Sequence, residues 1–180
     1  MKKVERRFYK NGKLMEEEHY NERGLLHRNE DKPAYIRYYG NGKIQSMMWY
    51  KNGKLHRDGD KPAEIYYHDY IFGRMAYYKN GKLHRDGDKP ALTTFIRGKL
   101  RSKICYEMYY KDGKRHREGD EPAYIIYFEN GRRIQEKIWY KNNQIHRDGD
   151  KPAVIEYDEN GKVIRVVWYK HGVEVRKKRR

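Results

Sequence analysis

Apolar and polar positions alternate along most of this chain. Ala34/Ile36/Tyr38, Ala63/Ile65/Tyr67, Ala123/Ile125/Tyr127 and Ala153/Ile155/Tyr157 each skip one residue, and the positions between carry Tyr35/Arg37, Glu64/Tyr66, Tyr124/Ile126 and Val154/Glu156. A period of two lines each set along one face of a β-strand. Residues 134–140 return with the same alternation but end on two successive aromatics, Trp139-Tyr140. One end of each such strand therefore offers aromatic surface to both faces of a sheet. No segment keeps a helical period between caps. The prolines stand at strand starts, where a missing N–H does least harm.

Two turn signals separate these strands. The first is Lys-Asn-Gly-Lys at 51–54 and 79–82, with Lys-Asp-Gly-Lys at 111–114 and Lys-Asn-Asn-Gln at 141–144. The second is Asn41-Gly42, Asn130-Gly131 and Asn160-Gly161, with Gly73 and Gly98 in the corresponding places. Both are expected to make tight hairpins, because Asn-Gly and Asp-Gly tolerate positive φ at both central residues. The Leu-His-Arg segment after the first signal is expected to run on as a long kinked arm into the next strand.

These elements recur. Residues 49–63, 77–91, 109–123 and 139–153, with a worn copy at 19–34, hold His-Arg, an acid three residues after the Arg, and Pro-Ala. The anchoring histidines are His27, His56, His84, His116 and His146, at steps of 29, 28, 32 and 30 residues. A period near 30 marks a repeat array. The expected fold is all-β: an elongated antiparallel array of hairpins in one twisted sheet, with five units plus terminal half-units. Residues 1–7 read as a charged lead-in, 8–172 as the array and 173–180 as a basic tail. Phe8 to Leu14 repeats the first turn signal without His-Arg and is expected to cap the array. The expected core is Ile36, Ile65, Ile125 and Ile155 with Tyr50, Tyr78, Tyr110, Tyr140 and Tyr169.

Composition changes this picture in two ways. At 37% hydrophobic and 38% charged the chain is lean for a compact globule, yet its 19 tyrosines exclude a disordered reading. The 42 Lys and Arg against 26 Asp and Glu give a net charge of +16, which favours anionic partners. A single cysteine, Cys105, fits a reducing compartment. No apolar run approaches the roughly 20 residues of a membrane helix, and the first residues lack the apolar stretch of a signal peptide. The expected setting is intracellular, in the host cytoplasm if the protein is viral, with a nuclear address carried by the basic tail.

The unit resembles the MORN repeat. Trp49-x-Lys51-Asn52-Gly53-Lys54-x-His56, followed by glycine and Ile65-x-Tyr67, is similar to that family's Trp, Asn-Gly-Lys turn, His-Gly pair and Tyr-bearing second strand. It departs in having His56-Arg57 for His-Gly, with a Pro-bearing insertion. The longer Leu-His-Arg-Asp-Gly-Asp-Lys-Pro-Ala form is similar to repeats in proteins of large DNA viruses and phages. The resemblance covers about residues 8–172 and implies a scaffold or interaction surface, in some members linked with membranes.

Motifs that imitate catalysis or metal binding fail on their surroundings. His56-Arg57-Asp58 and its copies match a kinase triplet, but no Gly-rich loop, strand Lys or Asp-Phe-Gly accompanies them. Asp58-x-Asp60 lacks the further oxygen ligands of a calcium loop, and Pro62 falls inside that window. Histidines on neighbouring hairpins, roughly 9–10 Å apart, cannot share one zinc. No nucleophile sits beside a base, so neither an enzyme nor a cofactor is expected.

Two binding classes remain. The first is a non-enzymatic scaffold for a protein partner, with Trp49, Trp139 and Trp168 as anchors of the kind enriched at interfaces. The alternative is sequence-independent binding of nucleic acid or another polyanion through Arg28, Arg57, Arg85, Arg117 and Arg147 and the tail Arg176, Lys177, Lys178, Arg179 and Arg180. A structural ladder competes for the same groups: His27, His56, His84, His116 and His146, with Asp31, Asp60, Asp88, Asp120 and Asp150 each accepting the Arg three residues before it. Open sheet edges also allow self-association.

Overall fold

The computed structural model describes residues 3–68, 72–96, 102–129 and 131–176. These form 21 strands and no helix, and the chain divides into two compact units, Met1–Leu83 and His84–Arg180. In the first unit Lys3–Phe8, Leu14–Tyr20, Tyr35–Tyr38, Ile44–Met48, Glu64–His68 and Phe72–Ala76 lie side by side in chain order, each antiparallel to the next. In the second, Leu92–Ile96, Lys103–Met108, Tyr124–Tyr127, Ile134–Ile138, Val154–Tyr157 and Val163–Lys170 do the same, and Val173–Val175 folds back on the end of the last. The all-β antiparallel class expected from the alternation is what forms. The charged residues 3–7, set ahead of the array in sequence, belong to its first strand, where Arg6 and Arg7 pair with Glu17 and Glu16 opposite.

The two turn signals build different structures. Asn52-Gly53 and Asn80-Gly81 have positive φ at both residues, 50° and 76°, then 52° and 82°, which is the type I′ combination. Each closes a two-residue ribbon set apart from the main sheet, as Tyr50–Lys51 with Lys54–Leu55. Asn142-Asn143 does so without glycine, at 51° and 72°; Asn143 compensates by accepting the Arg115 N–H on its Oδ1 at 2.7 Å. At the second signal, as at Asn41-Gly42, the glycine is left-handed, at 85°, and the Asn before it is not. There the Gly42 N–H donates to the Tyr39 carbonyl and the Tyr39 N–H to the Lys43 carbonyl, both at 2.8 Å. That is a three-residue loop whose Gly makes the bulge, and the strand register slips between Arg37 and Tyr38 accordingly. The expectation of a two-residue turn thus holds at the first signal and is corrected at the second. Asn11-Gly12, grouped with the first by its sequence, has the second geometry. Gly73 lies within a strand opposite Tyr67, while Gly98 and Asn130 lie outside the described residues.

The expected outgoing arm is also corrected. Residues 56–62 form bends and no strand, and the strand resumes only after Ala63. A repeat is therefore a returning strand, a pivot aromatic, a ribbon, a bent loop and a Pro-Ala step into the next strand. The pivot Trp49 donates its N–H to the Ala63 carbonyl at 2.8 Å and accepts the His56 N–H at 3.0 Å. Both bonds turn the chain without leaving its polar groups unpaired.

The tightest packing lies at the Pro-Ala step. Ala34, Ala63, Ala91, Ala123 and Ala153 are all 0% exposed, and the Ala153 N–H reaches the Val167 carbonyl at 2.9 Å while its own carbonyl accepts the Trp139 N–H at 2.9 Å. A backbone clipped on both sides leaves room for one methyl. In the second unit Tyr109 packs with Ala123, Ile125, Tyr127 and Ile134, and Ile138, Val154 and Val167 gather Tyr124, Ile145 and Tyr169, with Tyr140 touching both groups. Of the expected core, Ile125 is buried; Ile36, Ile65, Ile155, Tyr50, Tyr78, Tyr110, Tyr140 and Tyr169 are half-buried. The pivot aromatics Trp49, Tyr109 and Trp139 are buried more deeply because the loop arginines cover them. Ala123→Leu is expected to lower stability by about 1–3 kcal/mol through overpacking, whereas Lys114→Ala, at an exposed ribbon tip, should stay within about 0.5 kcal/mol. Thermal unfolding of the two variants checks the difference.

Candidate functional site

The repeated loop places one arginine in a closed cradle. Arg57 donates Nε and Nη2 to Asp31 Oδ1 and Oδ2 at 2.6 and 3.1 Å, and Nη1 to its own loop's Pro62 carbonyl at 3.1 Å. Its guanidinium carbon lies 3.8 Å from the centre of the Trp49 ring. Arg147 repeats this with Asp120 at 2.6 and 3.0 Å, Pro152 at 3.2 Å and Trp139 at 3.8 Å. Arg117 does so with Asp88, Pro122 and Tyr109. A planar fork suits a bidentate carboxylate, and its flat face suits an aromatic ring. In all three the acid comes from the preceding repeat, not from three residues downstream. The within-repeat pairing expected from Arg-x-x-Asp is corrected to a staple between repeats.

A second device joins neighbouring ribbons. His56 Nδ1 accepts the Asn80 N–H at 3.1 Å, and the Gly81 N–H reaches the Leu55 carbonyl at 2.8 Å. Because Nδ1 accepts, Nε2 carries the proton and donates to Asp58 at 2.9 Å. His27 takes the Asn52 N–H, His84 the Asp112 N–H and His146 the His171 N–H, each at 3.1 Å. His116 lacks this bond, and its Nδ1 is buried without one; its neighbouring ribbon is the one where Asn143 replaces glycine. Lysines complete the staples: Lys61 reaches Asp31 at 2.7 Å and Lys151 reaches Asp120 at 2.6 Å. At Asp88 the equivalent position is Glu121, and Arg117 holds the carboxylate without a lysine.

Residues 3–22 match the family model of the MORN repeat variant. No curated protein matches the chain. The match covers the first hairpin, and the same strand, turn and strand recur downstream, so the repeats are MORN-like.

The MORN-like repeat spends its conspicuous residues on itself. Trp49 and Trp139 are 7% and 6% exposed, with Nε1 donating to the Asp31 and Asp120 carbonyls at 3.0 and 3.2 Å; they are arginine platforms and not exposed anchors. Trp168 is half-buried. Arg57, Arg117 and Arg147, offered by the sequence as polyanion contacts, have all three nitrogens engaged. Arg28 holds Pro33 at 3.3 Å and lies 3.6 Å from Glu17, and Arg85 holds Pro90 at 3.2 Å. Asp150 has no ion pair among the described residues. Arg176 is exposed and the rest of the tail, residues 177–180, lies outside them. The Pro-Ala alanines and proline carbonyls were the residues missed as structural; the recurrence of Pro-Ala in every copy was their one signal.

Between successive loops lie grooves. In the second unit one of about 500 Å³ is lined by residues 84–89, 109–111 and 116–119, and another of about 440 Å³ by residues 116–121, 139–141, 146–149 and Lys151. Each sets a pivot aromatic, a tyrosine and a ribbon lysine (Tyr109, Tyr110 and Lys111; Trp139, Tyr140 and Lys141) against loop acids. Lys141 bonds Asp148 at 3.0 Å, and Lys111 pairs with Glu118.

The staples tie folding to pH. Hydrogen bonds from Arg57 and then Lys61 hold Asp31 far below the usual carboxylate range, and Arg147 with Lys151 does the same for Asp120. Arg117 lowers Asp88. His146 and Lys141 bring Asp148 down to about 2. A depressed carboxylate contributes stability that is complete above its unfolded value and is lost as pH falls toward the folded one. The melting temperature should therefore fall below about pH 4, and Asp120→Asn should flatten that acid limb while lowering the neutral-pH plateau. Arg147→Lys, which keeps charge but not the fork, is expected to cost about 1–2 kcal/mol. Thermal melts across pH measure both.

Proposed function

We propose that this protein is a non-enzymatic scaffold that binds a protein partner through the grooves between successive MORN-like loops. The observation that supports this is the recurrence of one groove, with its aromatic, tyrosine, lysine and acid in the same places, at the repeat period. An extended partner inserting one side chain per groove gains by multivalency, each contact being modest and the sum selective. The grooves are rich in aromatic surface and carry both signs of charge, which suits polypeptide better than a bare phosphate chain. We place it inside a cell, as a factor of a large DNA virus or phage; a single half-buried free cysteine accords with a reducing setting.

One observation favours nucleic acid as a second reading. Lys54 and Lys82, on the two ribbons of the first unit, are exposed and have no ion pair among the described residues. They would track a phosphate backbone in place of the occupied arginines. A photo-crosslinking residue placed at Tyr110 and separately at Tyr140 decides between the two. The scaffold predicts the same discrete protein from both positions, unaffected by moderate salt, and about tenfold weaker binding after Lys111→Glu with Lys141→Glu. Recovery of nucleic acid instead, with affinity falling steeply as salt rises, transfers the function to the ribbon lysines.

A further inference from the structure

We propose, building on the scaffold reading of the grooves, that the seam at Asp88 and Glu121 selects the partner: it takes a lysine or arginine side chain from a segment that runs along the grooves on either side. Three of the seams share one plan, in which an arginine on an aromatic platform holds the aspartate of the preceding repeat. Two of them add an ammonium. Lys61 Nζ reaches Asp31 Oδ2 at 2.7 Å, and Lys151 Nζ reaches Asp120 Oδ2 at 2.6 Å. In the third seam the residue four after the arginine is Glu121, and Arg117 is the one ion-pair partner of Asp88 among the described residues.

The two sister seams show, in the same local fold, which group this aspartate accepts beside its arginine. Each Asp88 oxygen takes one bond from Arg117 and keeps a lone pair for another donor. More of the side chain is left to water here: 63% is exposed, against 41% at Asp31 and 47% at Asp120. Glu121 is also exposed and forms no ion pair among the described residues. Both carboxylates act on the charge of Arg117 and on the Tyr109 hydroxyl, which places them in one neighbourhood. One arginine and one lysine against a single aspartate leave the sister seams cationic. One arginine against Asp88 and Glu121 leaves this seam anionic, in a chain of net charge +16. A cation from outside is therefore attracted here and repelled at the other two.

Placement gives the form of the ligand. Asp88 lines the groove of about 500 Å³ and Glu121 the groove of about 440 Å³, and loop residues 116–119 are common to both. A polypeptide passing from one groove to the next crosses the seam. Lys111 lines the first groove and Lys141 the second, so the residues on either side of the crossing are favoured as acids. The fitting segment is a basic residue between acidic ones, with aromatic residues against the tyrosine walls. A partner that is basic throughout suits the surface less well, as does a second copy of this chain, since both are repelled by the charge of +16.

Two fluorescent peptides titrated against the full chain test the proposal: Tyr-Glu-Tyr-Lys-Tyr-Glu-Tyr, and the same sequence with Glu for its central Lys. The lysine peptide should bind about tenfold more tightly. Glu121→Lys, which installs the residue of the sister seams, should raise the melting temperature and abolish that preference, and Glu121→Gln should fall between. The groove variant Lys111→Glu with Lys141→Glu should weaken both peptides and keep their ratio, with unchanged circular dichroism showing that each variant is folded. Equal binding of the two peptides, or a preference that survives Glu121→Lys, overturns the seam and leaves the grooves standing. A preference lost in Glu121→Lys, with affinities indifferent to the groove variant, upholds the seam and overturns the grooves. Absence of binding by either peptide at low salt overturns both. Self-association that Glu121→Lys abolishes makes a second copy the occupant, and displacement of the peptide by millimolar calcium makes it a metal ion; either result overturns the proposal.

Discussion

An arginine in one repeat gripping an aspartate in the one before it is the contact on which this architecture depends. The guanidinium is largely removed from water, a costly position for a charge that lacks partners. Here both carboxylate oxygens, a proline carbonyl and an aromatic face meet it, so each of its nitrogens is satisfied. The cradle explains three features of the sequence together: an aromatic at the pivot, a proline whose carbonyl points inward, and an acid set within the loop so as to serve the next repeat. It also explains how a chain with so little aliphatic content holds its shape. The polar staples sit over a thin layer of alanine, isoleucine and tyrosine, and each layer shields the other.

Much of this was legible beforehand because strand alternation and turn chemistry act over a few residues. The faces of Ile125 and Ile155, the type I′ turn at Asn52-Gly53 and the antiparallel class all follow from local pattern. What did not follow involved partners about 30 residues away. Arg57 chooses between Asp31 and Asp60, and nothing in the spacing Arg-x-x-Asp shows that the nearer acid in sequence is the wrong one in space. The same limit misplaced Trp49 and Trp139: an indole looks like an interface anchor until the arginine that covers it is located. The turn at Asn41-Gly42 was misread for a different reason. Its residues permit a two-residue loop, but the bulged three-residue loop is what the strand register on either side requires.

The two units apply one frame to different surfaces. In the first, buried positions hold carboxylates: Glu64 meets Arg74 and the Tyr78 hydroxyl, and Glu16 meets Arg7 and the Tyr35 hydroxyl. Burial and then Glu64 raise Tyr78 to about 12, which keeps its hydroxyl protonated as a donor. In the second, an apolar row of Tyr124, Ile138, Val154 and Val167 runs across four strands. The net charge of the chain is therefore a poor guide to its chemistry, since the most regularly spaced cations are internal fittings. What is left at the surface is the remainder: ribbon lysines, loop acids and the aromatic walls between them.

Because each staple draws its arginine and its aspartate from different repeats, the heritable module within a unit is the junction and not the repeat. Any duplication or excision spanning one whole period, wherever it begins, recreates a complete junction at the new seam. An array built this way can change its length without passing through an unpaired intermediate, and individual junctions can drift one at a time. Glu121 where other staples have a lysine, and Asn143 where other ribbon tips have a glycine, are differences of that kind: each is confined to a single seam.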